Sequence, residues 1–173
     1  MFFRSSILRV TPARHVTPAR HLSSLPPVRH PTPTEALALP VTFSDISRAA
    51  IAIQGGIRHP PSRRSHYLSE LTGMHVYLKR ELNQFTGSFK ERGARNTLIS
   101  LQREWAQDPS AARAGVIAAS AGNHASALAY HGGLLDVPVT VVMPTVAPFA
   151  KVNKCRELGA RVIIHGEDIG ESK

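Results

Sequence analysis

The chain predicts an α/β fold, a parallel sheet flanked by helices. Three observations carry that expectation. Short apolar runs at residues 115–119, 139–143 and 161–165 read as strands. Helical patterns lie between them, one opening at Asn123 and one near Pro148. The connections are short, and a strand–helix–strand–helix–strand order with short links builds a parallel sheet covered by helices. The runs are continuously apolar rather than alternating, which predicts strands buried on both faces.

Residues 1–40 read as a basic, extended and disordered leader. Five arginines (Arg4, Arg9, Arg14, Arg20, Arg29) precede the first carboxylate, Glu35. Phe2, Phe3, Ile7, Leu8 and Val10 can share one side of a helix, and an arginine-bearing, hydroxyl-rich, acid-free start is the mark of a mitochondrial transit peptide. A cytoplasmic chain with a basic tail is the alternative. The hexapeptide Val10-Thr11-Pro12-Ala13-Arg14-His15 repeats as residues 16–21, too few copies for a solenoid. Much of the formal charge of +9 sits in this Pro/Ser/Thr-rich stretch, without interleaved aromatics. That distribution argues against a nucleic-acid partner. No apolar run approaches the length of a membrane span, and no membrane partner is expected.

Next, Ser44-Asp45-Ile46-Ser47 opens a helix with Ala49, Ala50, Ile53 and Ile57 inward, ending near Gly55-Gly56. A loop holds Arg58-His59-Pro60-Pro61. Tyr67, Leu68 and Leu71 suit a short helix stopped by Gly73, and residues 76–80 read as a strand. Ser88-x-x-Glu91 fits the reciprocal cap of a helix whose inner face carries Ala94, Leu98, Leu101 and Trp105. Asp108-Pro109-Ser110 marks a loop. Gly132-Gly133 would stop the helix begun at Asn123. Pro148 fits the first turn of a further helix, with Phe149, Val152, either Cys155 or Arg156, and Leu158 at helical intervals and Gly159 as the stop. A single cysteine excludes an internal disulfide, and Cys155 reads as an inert, partly buried thiol.

Two positions have chemical promise. Lys90 falls in the first helical turn, where the helix dipole favours anions over cations. It is either a solvated lysine softened by Glu91, or an amine kept partly neutral by positive potential and desolvation, as Schiff-base chemistry requires. Gly122 closes a strand and Asn123 begins a helix, so free N–H groups there face the strand tip. This is either an anion site beyond the carboxyl ends of parallel strands, or an ordinary glycine turn with an asparagine cap. The nine histidines are scattered and no pair has metal-ligand spacing with supporting carboxylates, so no metal is expected.

Lys79-x-Glu81-x-x-Gln84-x-Thr86-Gly87-Ser88-Phe89-Lys90-x-Arg92-Gly93-Ala94 resembles the cofactor-lysine segment of the fold-type-II pyridoxal-phosphate enzymes. Within them it is most similar to the threonine/serine ammonia-lyases (dehydratases) and the serine racemases. Ala119-Ser120-Ala121-Gly122-Asn123-His124-Ala125 resembles the family's substrate-carboxylate loop. Met143-Pro144-x-x-Ala147-Pro148-x-x-Lys151 with Leu158-Gly159-Ala160-x-Val162 resembles the segment after it. The likeness covers residues 44–173 and implies a tryptophan-synthase-beta-like fold. Residues 41–86 would belong to the large cofactor domain, and 87–173 to the lysine segment and an incomplete small domain.

By this resemblance Lys90 would carry pyridoxal 5'-phosphate, with Phe89 packed on the cofactor ring and Asn123 bonding its phenolic oxygen. Ser120, Ala121, Gly122 and Asn123 would grip the carboxylate of L-threonine or L-serine, and His124 would either line the site or only pack. β-Elimination would then give a 2-oxo acid and ammonia. Related racemases place a serine where Ala121 stands, and alanine cannot act as a second base, which favours elimination over racemisation. A catalytically silent module of the same fold is the alternative of another class, and cysteine-synthase-like transferases are a third enzyme reading. Arg58-His59-Pro60 departs from the family's Arg-Thr-Pro-like turn. The family's glycine-rich phosphate loop has no counterpart in the 173 residues, so weak cofactor binding is expected of this polypeptide alone. A full-length form would be a homo-oligomer.

Overall fold

The computed structural model describes residues 40–106 and 115–172. The leader with its repeat, and the loop expected at Asp108-Pro109-Ser110, lie outside the described residues.

Helix α1 spans Phe43–Ala52 and starts two residues earlier than Ser44 would have it, from Thr42. Thr42 Oγ1 accepts from the Asp45 amide at 3.2 Å, and Asp45 Oδ2 accepts from the Thr42 amide at 2.8 Å. Two orphan donors are thus satisfied reciprocally. The Thr42 hydroxyl and amide hold the Asp45 carboxyl down at about 2. Ile53 and Ile57 are buried as expected, but Ala50 is exposed and Ala49 only half-buried. The helix ends at Ala52, so its period does not extend to the two isoleucines.

Strands β1 (Ser62–Arg64) and β2 (Tyr77–Lys79) pair antiparallel, with Arg63 opposite Leu78. Between them α2 (His66–Thr72) is capped by Ser65 and closed by Gly73 at φ +69°. β1 was not legible in the sequence, because Ser-Arg-Arg has no apolar alternation and every residue of the ribbon is exposed.

The remaining elements form the expected sheet. They are α3 (Lys90–Trp105), β3 (Val116–Ala119), α4 (Asn123–Leu134), β4 (Val139–Met143), α5 (Phe149–Glu157) and β5 (Arg161–Ile164). The strands run parallel in the order β3-β4-β5, Ala119 beside Val142 and Met143 beside Ile164. Burial on both faces holds only for the central β4, where no residue is exposed. Ile117 of β3 is 70% exposed, because β3 and β5 are edge strands among the described residues.

One core joins these elements: Ala94 and Leu98 of α3, Ala125 and Ala129 of α4, Val141 and Met143 of β4, Val152 and Cys155 of α5. Burial raises the Cys155 thiol above its ordinary value, as an inert thiol requires. Phe149, expected inward, is exposed as the first residue of α5, ahead of the turn that meets the core. Gly132-Gly133 does not stop α4, which continues to Leu134. Gly132 instead permits close packing, since a Cβ there would run into Val139 Cγ2.

Candidate active site

The lysine segment is fastened from behind. A short 3₁₀ turn, Glu81–Asn83, follows β2. Arg92 meets Glu81 in a two-pronged bridge, Nη2 to Oε1 at 2.8 Å and Nε to Oε2 at 3.0 Å. Such paired, charge-assisted bonds fix geometry as well as energy. The Arg92 guanidinium lowers the Glu81 carboxyl below its ordinary value. The buried Gln84 side chain accepts from the Arg58 amide at 3.1 Å and donates to the Arg58 carbonyl at 2.9 Å. The Arg58 guanidinium lies 3.9 Å from the centre of the Phe85 ring, and Phe85 stacks on Tyr130 of α4 at 5.1 Å. Arg58, in the turn that departs from the family pattern, is therefore a tether for the lysine segment.

Ser88 and Glu91 do not form the expected reciprocal cap. α3 begins at Lys90 with Phe89 before it, and Ser88 Oγ accepts from the Lys90 amide at 3.2 Å. Gly87 turns the chain at φ +79°, a conformation that side-chain-bearing residues rarely adopt. The Thr86 amide, not that of Ser88, then donates to Glu91 Oε1. Glu91 is fully buried, and its Oε2 lies 3.4 Å from Nε2 of His131, also fully buried. That separation is long for a hydrogen bond. Burial, with the Arg95 charge adding, pulls His131 below its ordinary value against the opposing pull of Glu91. Sequence reading missed this pair, because residues 40 positions apart share no local pattern.

Lys90 is exposed, so the described residues do not supply the desolvation considered for it. It opens onto a cleft of about 350 Å³ lined by Phe89, Lys90, Gly93 and Thr97 from the α3 side and by His124 of α4. Lys90 Nζ lies 5.3 Å from the centre of the Phe89 ring. Partial burial, with the charge of Lys90 adding, lowers the His124 imidazole. His124 therefore lines the cleft.

Ser120, Ala121 and Gly122 turn the chain from the end of β3 into α4. The Ser120 amide donates to the Val142 carbonyl at 3.0 Å, which extends the parallel ladder by one residue. Gly122 N donates to Ser120 Oγ at 3.3 Å. Intrahelical bonding resumes with Ser126 N to Gly122 O, leaving the N–H groups of Asn123, His124 and Ala125 without a partner inside the helix. Asn123 does not cap α4 with its side chain; its Oδ1 accepts from Lys151 Nζ of α5 at 3.0 Å. The structure thus brings Phe89, Lys90 and His124 to one cleft, and starts α4 beside it with Ser120, Ala121, Gly122 and Asn123.

Comparison with known proteins shows the family. The family model described as pyridoxal-phosphate dependent enzyme matches residues 53–173. An L-threonine ammonia-lyase of Thermotoga maritima is 41% identical over 132 residues, 76% of this chain and 31% of that protein. The L-threonine dehydratase catabolic TdcB of Staphylococcus aureus (strain N315) is 43% identical over 134 residues, 77% of this chain and 37% of its own length. The crystal structure of serine racemase from Dictyostelium discoideum superposes with a TM-score of 0.68 at 36% identity, covering 76% of this chain and 41% of that one. The chain spans about a third of the length of these curated relatives. With three motif blocks, a shared cleft and a family match over most of its residues, the chain belongs to the pyridoxal-phosphate dependent enzyme family.

Proposed function

We propose that the chain is part of a pyridoxal-phosphate-dependent threonine/serine ammonia-lyase, eliminating the β-hydroxyl of a hydroxy amino acid to leave a 2-oxo acid and ammonia. The observation that carries this reading is that Lys90 and His124 face one cleft while α4 starts at Asn123 beside it. The donor set suits the cofactor. A primary amine can condense with an aldehyde, the Phe89 ring offers an aromatic face, and unpaired N–H groups at a helix start receive anions. Once bound, pyridoxal phosphate supplies the electron sink for deprotonation at the substrate α-carbon.

The chain's own residues do the rest. Lys90 Nζ would hold the cofactor, and the same amine would move the α-proton. The N–H groups at the start of α4 would orient the substrate carboxylate, Phe89 would pack beside the ring, and Asn123 would donate to the phenolic oxygen. His124, with its imidazole biased towards neutrality, closes one wall. Ala121 offers no proton to the opposite face of the α-carbon, which favours elimination. Serine racemisation is the second reading, supported by the likeness to the Dictyostelium discoideum enzyme. We further place the whole protein in the mitochondrion on the strength of its arginine-bearing leader, which a fluorescent fusion of residues 1–40 would test.

Borohydride reduction of the protein incubated with pyridoxal phosphate, followed by peptide mass analysis, tests the cofactor assignment. The pyridoxyl mass is expected on Lys90 in clear preference to Lys79, Lys151 and Lys154. Labelling spread evenly over these lysines would sink the assignment. With threonine and serine as substrates, 2-oxo acid release supports the lyase and D-serine without it supports the racemase. Lys90→Ala should abolish either.

A further inference from the structure

Lys151 sits in the first turn of α5, a helix with no acidic residue there. A cation at a helix start opposes the dipole, and nothing on its own helix explains it. Its partner is across the gap: Nζ donates to Asn123 Oδ1 at 3.0 Å. α4 and α5 follow the parallel strands β3 and β4, so both helices begin at the same, carboxyl-terminal edge of the sheet. Two helix starts and Lys151 therefore gather positive potential around one amide.

The chemistry of lysine then decides how that amide faces. An ammonium has three donors and no acceptor, so it can meet the oxygen of Asn123 but never its nitrogen. With Oδ1 turned towards Lys151, the NH₂ group is the end turned away from it and left to face the site. We propose that Lys151 is a positioning residue that locks the Asn123 carboxamide so that its NH₂ donors face the site. The ligand atom facing Asn123 must accordingly be an acceptor. Resting on the function proposed above, that atom is the cofactor's phenolic oxygen, and Lys151 acts on it only through Asn123.

Two arms test this. Without any ligand, Lys151→Met should move the side-chain carboxamide resonances of Asn123 and Lys151→Arg should return them towards their original positions. Unmoved resonances would overturn the proposal. In the second arm, labelling of Lys90 is titrated with pyridoxal phosphate and with its 3-deoxy analogue, which lacks the phenolic oxygen. Weakening of one ordinary hydrogen bond, that of Asn123 to the phenolic oxygen, predicts about threefold to tenfold weaker labelling by pyridoxal phosphate in Lys151→Met. The analogue should be unaffected, and Lys151→Arg should restore most of the difference. Equal loss for both compounds would reduce Lys151 to a structural prop and overturn the proposal. If the original protein takes neither compound at Lys90 while the resonances move, the amide lock stands and the proposed function fails.

Discussion

Helices α1 and α4 both match the helical patterns the sequence announces, yet they bear opposite relations to the rest of the molecule. α4 buries seven of its residues, His131 among them, against α3, β4 and α5. α1 buries none, and Phe43, Ile46 and Ile51 lie on its surface at 83%, 59% and 71% exposure. α1 has the stronger amphipathic pattern and a complete reciprocal cap. α4 has neither, but it is small-residued and sandwiched. Local signals therefore form a helix; what surrounds it decides whether its apolar side stabilises anything. The same contrast separates the exposed ribbon β1–β2 from the sheet β3-β4-β5.

The contrast can be tested by substitution, beginning with the largest effect. Glu91→Ala removes one partner of a fully buried polar pair and the acceptor of the Thr86 amide. The Thr86 amide and the buried His131 imidazole then lose their partner, and a loss of about 1–3 kcal/mol for each is expected in denaturant unfolding. Leu98→Ala, in a side chain with no exposure, should cost about 2–5 kcal/mol. Ile51→Ala on α1 should stay within about 0.5 kcal/mol, as surface changes do. A comparable loss at Ile51 would mean that α1 is covered in solution.

The smallest effect is a slope. His131 faces Glu91 and Arg95 of α3 and the edge of Tyr130 on its own helix. Its folded-state value lies below the ordinary 6.5, so the unfolded chain takes up the proton first. Stability from this group is complete above that ordinary value and declines as pH falls below it. Unfolding midpoints measured against pH should drop on acidification, and His131→Gln should flatten that part of the curve.

Much of the site was legible because its residues come in short, ordered blocks. Lys90 with Phe89, and Ser120 through His124, each occupy a few consecutive positions at an element boundary, where local rules are strong. The three parallel strands were legible for the same reason. What escaped was the pairing of distant residues: Glu91 with His131, Gln84 with Arg58, Lys151 with Asn123. Ser88 and Glu91 misled because their spacing satisfies a local motif while a glycine turn and a buried histidine draw the carboxylate elsewhere. Gly132 misled because packing against Val139, invisible in a one-dimensional pattern, outweighs the usual tendency of glycine to end a helix.

The order β3-β4-β5 has a practical consequence. The outer margin of each flanking strand keeps backbone donors and acceptors without a ladder partner among the described residues. Such margins invite strand addition from another chain. Preparations of these 173 residues should therefore be handled dilute, and a lysine or proline placed on the outer side of β3 would be the first choice for keeping them monodisperse.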